Sequence, residues 1–253
     1  MLGDLFQIFL YQPLFNLLIF LYNIVPGHDM GVAIIILTLM VRVLLYPLSR
    51  KSLESQKALQ DLQPKMEELK KKYAQDKERL SKEMIRLYSE NKVNPFSSCL
   101  PVLIQLPFFI AVFQVFRTGL TNGSFDLLYP FITHPGVLNP VTLGIMDLAK
   151  AQPILAVLAG GAQYFQNKML LVKKQPQVKG SKDESTMAIM NKQMSIMMPA
   201  LTVFIGFTLP GGLTLYWLVT TLLMFIQQKW LMKDQDKSEK PKEIQKEIQI
   251  EAQ

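Results

Sequence analysis

The sequence predicts an all-α integral membrane protein: a five-span helical core, a cytoplasmic helical hairpin, and one further apolar helix at the N-terminus. Three observations predict it. Of 253 residues 49% are hydrophobic, and the ionisable ones are gathered into a few segments. The stretches between those segments approach the ~20 apolar residues that a helix needs to cross hydrocarbon. The basic residues also flank these stretches on alternate sides, which is a topology signal rather than the footprint of a nucleic-acid binder, despite the net charge of +7.

Residues 1–25 are apolar and aromatic, without Lys or Arg. Pro13 sits in the middle, and Gln12, Asn16 and Asn23 recur at roughly helical spacing. This segment reads as a span or as a helix lying in the interface. It lacks the positive n-region and small-residue cleavage site of a signal peptide. Pro26-Gly27-His28-Asp29 breaks the chain. Residues 31–48 form span 1, interrupted by one charge, Arg42.

Residues 49–97 are polar and helical, with 12 basic and 8 acidic residues. Leu59, Leu62, Met66, Leu69 and Tyr73 step by 3 and 4, an a/d seam that Leu80, Met84 and Leu87 continue. The pattern predicts an antiparallel helical hairpin in which Pro64 either kinks the first arm or starts its second helix. Span 2, residues 98–118, opens with Asn94-Pro95 and carries Pro101 and Pro107. The 119–152 loop holds the turn signals Asn122-Gly123, Pro130, Pro135-Gly136 and Pro140. Span 3 (153–171), a basic loop (172–192) and span 4 (193–209) follow. Leu209-Pro210-Gly211-Gly212 reads as a tight turn into span 5 (213–231), and 232–253 is a charged tail.

Segments 49–97, 172–192 and 229–253 hold 23 of the 27 Lys and Arg residues. The positive-inside rule places all three in the cytoplasm, with the C-terminus inside and the 119–152 loop outside. No cofactor or metal is expected. His28 and His134 are isolated, Cys99 has no second cysteine to pair with, and no P-loop, Gly-rich dinucleotide fingerprint or G-x-S-x-G motif occurs.

Arg42 carries the functional reading. A charge inside a span costs ~2.5 to 3.5 kcal/mol on insertion scales. Snorkelling explains it as well as a functional charge does, since Ser49 is only ~10 Å away along a helix. Thr38, Arg42, Tyr46 and Ser49, however, fall on one helical face, and a polar stripe reaching past Arg42 toward mid-bilayer suggests a wet wall. In span 3, Ala156, Ala159, Gly160, Gln163 and Asn167 share a face, with Gln166 beside it. Close helix packing accounts for the small residues, and the amides remain candidates for lining a groove. In span 5, Trp217, Thr221, Met224 and Gln228 share a face, with Tyr216 and Thr220 adjacent. Trp217 near a span end reads first as an interface anchor. Gln105 in span 2 reads as a helix-to-helix hydrogen bond. Met187, Met190, Met194, Met197 and Met198 gather where span 4 meets the cytoplasm, a flexible surface suited to varied apolar partners or simply to packing.

Three stretches resemble the YidC-type membrane protein insertases. Thr38-Leu39-Met40-Val41-Arg42-Val43-Leu44-Leu45-Tyr46-Pro47-Leu48 is similar to that family's first core span. The run from Val93-Asn94-Pro95-Phe96 to Leu106-Pro107-Phe108-Phe109 is similar to its second-span signature, and Leu209 to Trp217 resembles its final hairpin. The likeness covers residues 10–232. It implies a five-span core around a hydrophilic groove open to the cytoplasm and to lipid, and a bacterial plasma (inner) membrane location. Arg42 matches the groove arginine, and Thr38 and Trp217 match positions that contact or support clients. Gln163 or Gln166 would line the same groove, with Gln105 and Tyr46 beside it. Residues 1–25 would be an extracytoplasmic interfacial helix. Met190, Met194, Met197 and Met198 would offer clients an apolar slide. Expected partners are nascent membrane proteins and the lipid bilayer, with the Sec translocon and ribosome as further candidates and no direct nucleic-acid contact. The six Lys of residues 229–253 are balanced by six acidic residues, which argues against tail-driven ribosome binding. The resemblance implies a chaperone-like insertase, not an enzyme. A structural assembly subunit and a small-solute transporter are the alternatives. The transporter predicts paired intramembrane charges or an inverted repeat, and neither is evident.

Overall fold

The computed structural model describes residues 2–94, 100–116, 125–170 and 196–251, which fall into two compact units. Most of it is helical, with one two-residue antiparallel ladder.

The first unit contains residues 1–46 and 99–222. It opens with α1 (Leu2–Phe6), a π-helical turn (Gln7–Tyr11) and α2 (Gln12–Ile24), stacked as one helical run. The π turn has a local cause. Pro13 lacks the N–H that would bond the carbonyl of Phe9. The chain widens just before it, and the Gln12 N–H reaches back five residues to Gln7. Val25 is extended and Gly27 takes a left-handed φ of 77°, so the run stops there.

Helix α3 (Met30–Leu44) starts at Asp29, whose carboxylate accepts from the Val32 N–H. It ends earlier than the expected 31–48 span. Pro47 has no N–H for the carbonyl of Val43 and disfavours helical geometry at Tyr46, so the helix closes at Leu45 and a new one begins. Tyr46 and Ser49 therefore do not continue the face of Thr38 and Arg42 on one helix, which corrects the single-stripe expectation.

Helices α7 (Leu100–Gln114), α8 (Pro153–Leu170), α9 (Met198–Gly206) and the first part of α10 (Gly211–Glu251) complete the unit. Gly211 and Gly212 open α10, so the turn before it is formed by Phe207 to Pro210 instead of including the glycines. The core is built from α2 (Phe15, Leu18, Ile19), α3 (Met30, Ala33, Ile34, Leu37), α7 (Ala111, Val112) and α10 (Leu213, Tyr216). Against it α8 and α9 pack closely at Gly160, where an added Cβ would lie 2.9 Å from the Pro199 carbonyl oxygen. Large apolar side chains also face outward, including Val43, Leu44, Phe165 and Phe204. That much exposed apolar surface calls for lipid or a protein partner.

Among the described residues, Gly3–Ile24 alone is long and apolar enough to cross a bilayer as one helix. Met30–Leu44 with Tyr46–Asp61 passes only as a broken pair.

The 125–152 segment is more ordered than a plain loop. It carries a 3-10 turn (Phe125–Leu127) and the ladder of β1 (Val141–Thr142) with β2 (Met146–Asp147). Two fixtures hold it. Asn16 donates to the Leu127 carbonyl and accepts from the Tyr129 N–H, while Gln12 also donates to Leu127. Farther along α2, Tyr22 accepts from the Asn139 N–H and Asn23 donates to the Thr133 carbonyl. At the other fixture Asp29 accepts from the Thr142 hydroxyl (2.5 Å) and the Leu143 N–H (2.6 Å). Gly31 permits that approach, because a Cβ there would sit 2.8 Å from the Thr142 Cβ.

The second unit contains residues 47–98 and 223–253. Helix α4 (Tyr46–Asp61) reaches it from Pro47 onward, followed by α5 (Gln63–Lys72) and α6 (Lys77–Glu90). Pro64 occupies the first turn of α5, so it starts a helix instead of bending one. Asp76 caps α6 by accepting from the Arg79 N–H. Lys65, Leu69 and Lys72 of α5 face Glu83, Leu87 and Glu90 of α6, and the Tyr88 hydroxyl meets the Met66 sulfur, an antiparallel pair. Leu62 is buried while the other seam residues are half-buried. Ser49 and Gln227 exchange hydrogen bonds that join α4 to the later part of α10.

Candidate functional site

Arg42 lies in the last turn of α3, one turn beyond buried Thr38. Its Nη2 donates to Gln105 Oε1 on α7 at 2.8 Å. Gln105 Nε2 in turn donates to the Tyr216 hydroxyl oxygen on α10 at 2.7 Å. Three helices are thus joined through one amide. Its orientation follows from chemistry: a guanidinium only donates, so the carbonyl end must face Arg42 and the NH₂ end must face Tyr216. Tyr216 is 2% exposed and belongs to the core, whereas Arg42 is half-buried. No carboxylate pairs with Arg42 among the described residues. A desolvated positive charge whose partner is a neutral amide keeps most of its attraction for an anion.

One turn after Gln105, the Phe109 ring meets Trp217 edge-on, with centroids 5.5 Å apart. Trp217 is half-buried and anchored on α7, beside the polar chain.

The other expected site residues are placed separately. The Thr38 hydroxyl donates to the Ile34 carbonyl of its own helix at 2.6 Å, and its side chain is fully buried. Gln163 accepts from the Thr202 hydroxyl, linking α8 to α9. Gln166 is half-buried on α8, and Tyr46 is exposed at the start of α4. Met197 and Met198 are exposed at the start of α9, while Met190 and Met194 lie outside the described residues. Sequence reading named Tyr216 only as a neighbour of Trp217 and gave Phe109 no role. The single hint was that Gln105, buried in an apolar run, needed partners for both ends of its amide. No cluster able to hold a metal occurs among the described residues.

Comparison with known proteins adds to this geometry. The family model described as "60Kd inner membrane protein" matches residues 20–239. A Fusobacterium nucleatum protein named "Membrane protein insertase YidC" is 34% identical over 229 residues, covering 89% of this chain and 98% of the relative. A protein of the same name from Syntrophus aciditrophicus is 38% identical over 225 residues, covering 88% of this chain but 36% of the relative. One from Magnetococcus marinus is 34% identical over 227 residues, 89% of this chain and again 36% of its own length. The chain thus spans nearly all of one relative and little more than a third of the other two. Among solved structures it is similar to "Active YidC insertase crystal structure with the first transmembrane domain resolved". The TM-score is 0.54 and the identity 28%, over 79% of this chain and 41% of that one.

Proposed function

The chain belongs to the 60Kd inner membrane protein family, the YidC membrane protein insertases, and from that premise we propose that it passes the short polar tails of client proteins through a hydrated groove beside Arg42. The protein is a membrane protein insertase. It works in the bacterial inner membrane on nascent membrane proteins, and its apolar outer surface meets lipid.

In this reading the five apolar segments around α3, α7, α8, α9 and the first part of α10 form the core. The α5–α6 pair is the cytoplasmic hairpin, and the C-terminus is cytoplasmic. The run from Leu2 to Ile24 is an extracytoplasmic interfacial helix. Its length and apolarity would suit a span, but its hydrogen bonding favours the interface. Gln12 and Asn16 bond to residues 127 and 129, and Tyr22 and Asn23 bond to residues 139 and 133. Over ~16 Å of helix the polar stripe stays beside one loop, whereas a helix crossing the bilayer would leave it.

The mechanism needs no nucleotide. A client's polar tail enters from the cytoplasm, drawn to the guanidinium when that tail is acidic. Water and side-chain polarity in the groove reduce the desolvation cost of moving the tail across. The client's apolar segment then leaves sideways into lipid, driven by burial worth ~25 cal/mol per Å². Arg42 supplies the charge, with fully buried Thr38 supporting it one turn back on α3, and Tyr46, Gln163, Gln166 and Trp217 border the path. Met190, Met194, Met197 and Met198 give the apolar segment an adaptable surface. The Sec translocon and the ribosome are candidate partners upstream.

The observation that carries this reading is the Arg42–Gln105–Tyr216 chain, which holds a cation at the end of an apolar helix with no carboxylate partner among the described residues. The test is insertion into liposomes by the purified protein, with photo-crosslinking from positions 38, 42 and 217 to a nascent client. Arg42→Ala is expected to lower insertion of acidic-tailed clients about tenfold, while Arg42→Lys largely preserves it. Full activity of Arg42→Ala on those clients would remove the charge from the mechanism.

A further inference from the structure

Between Arg42 and the core stands one side chain whose chemistry is suited to exchange. We propose that Gln105 is the resting-state partner of Arg42, a neutral placeholder that the acidic group of a client displaces. The inference rests on the proposed role of Arg42 and assigns what holds that residue ready.

The geometry has three parts. Gln105 Oε1 takes one N–H of the guanidinium, from Nη2 at 2.8 Å. That fixes where the charge points yet leaves the remaining guanidinium donors for an incoming oxygen. Gln105 Nε2 is held by the Tyr216 hydroxyl at 2.7 Å, and Tyr216 is 2% exposed in the core. The amide is therefore fixed from its far end, and it keeps its position when Arg42 lets go.

The third part is electrical. An amide oxygen carries only a partial charge, so a carboxylate outcompetes it, forming two charge-assisted bonds to the guanidinium where the amide forms one. Among the described residues no carboxylate compensates the site's positive charge. A glutamate at the same position would neutralise it and form an ion pair that a client acid could displace only at much greater cost. An amide on α7 is thus matched to a binding step that must reverse when the client leaves for lipid.

The test compares insertion of two clients that differ only in tail charge, one with two acidic residues and one with the corresponding amides. The readout is the acidic-to-neutral insertion ratio in liposomes. Gln105→Glu is nearly isosteric and is expected to lower that ratio about tenfold or more. The exchanged pair Arg42→Gln with Gln105→Arg is expected to recover at least half of the acidic preference that Arg42→Gln alone loses, because the charge returns one side chain away. A purely structural role for Gln105 would lower both clients alike and leave the ratio unmoved. Arg42→Gln is run beside them. If it leaves acidic-tail insertion unchanged, the groove-charge reading itself fails. If it abolishes the acidic preference while Gln105→Glu keeps the wild-type ratio, only the placeholder is overturned.

A second measurement needs no variant that must fold and insert. With glutamine δ-carbonyl carbons labelled in the wild-type protein, and the Gln105 signal assigned through Gln105→Met, an acidic-tailed peptide is expected to shift that signal. A neutral-tailed peptide should not. No shift with acidic peptide at saturation would overturn the exchange.

Discussion

Asp29 is the best place to test how the 125–152 segment is held. Its carboxylate accepts from the Val32 N–H at 3.0 Å, the Thr142 hydroxyl at 2.5 Å and the Leu143 N–H at 2.6 Å. It therefore caps α3 and ties the β1–β2 hairpin to that cap. Asp29→Ala removes the cap, worth about 1 kcal/mol. It also removes two charge-assisted bonds, each worth about 1.5–3 kcal/mol when shielded. Asp29 is only half-buried, so water replaces part of that loss. A net cost of about 2 kcal/mol for local opening is expected, or about 30-fold faster hydrogen exchange at the amides of Val32 and Leu143. Burial raises the Asp29 pKa, but hydrogen bonds from Leu143, Thr142, Val32 and Gly31 outweigh it and hold the carboxyl below its usual 3.8. The folded pKa lies below the unfolded one, so the fixture is fully present above pH 3.8 and is lost as pH falls through the lowered folded value. Protection of the Leu143 amide should fade in that acid window in the wild type and show no such step in Asp29→Ala. Exchange at residues 32 and 143 that is unchanged by the substitution would refute the reasoning.

Asn16→Leu should destabilise the first unit by about 1–3 kcal/mol. It leaves the Tyr129 N–H without its acceptor, while Gln12 still serves the Leu127 carbonyl; denaturation in detergent and exchange at residue 129 read the effect. Gly160 and its neighbour Gly161 should respond with opposite signs. Gly160→Ala drives a Cβ against Pro199 and Val203 and costs about 1–3 kcal/mol, whereas at Gly161 a Cβ meets nothing within 4 Å. Gly161→Ala should therefore gain up to about 1 kcal/mol from helix propensity, and thermal unfolding of the two variants compares them directly.

Features set by neighbours in the chain were legible in the sequence, and features set across it were not. Arg42 stood out because a charge in an apolar run needs a reason. Gln105 was readable as an interhelical bond because an amide in such a run must find partners. Tyr216 gained no role, because the amide it holds is 111 residues away and a tyrosine beside a tryptophan near a span end looks like an anchor. The spacing of Gln12, Asn16 and Asn23 marked a polar stripe, but its acceptors are backbone groups of residues 127 and 133, which no side-chain pattern announces. The end of α3 is not legible from hydropathy, which continues through Leu48, whereas the helix closes at Leu45 ahead of Pro47. Thr38 was read as lining a wet wall, yet its hydroxyl is satisfied within its own helix, as threonines in apolar helices commonly are.

The fastening of α2 to the 125–142 segment has a consequence for how the protein is made. Its polar stripe emerges from the ribosome more than 100 residues before the backbone groups that satisfy it. At ~5–20 residues per second that is a wait of ~5–20 s. During that interval three carboxamides on an otherwise greasy helix must be hydrated or chaperoned, which favours keeping the segment at the water boundary. Biogenesis of this inserter therefore poses, for its own first helix, the same problem of a polar group in an oily setting that it relieves for others.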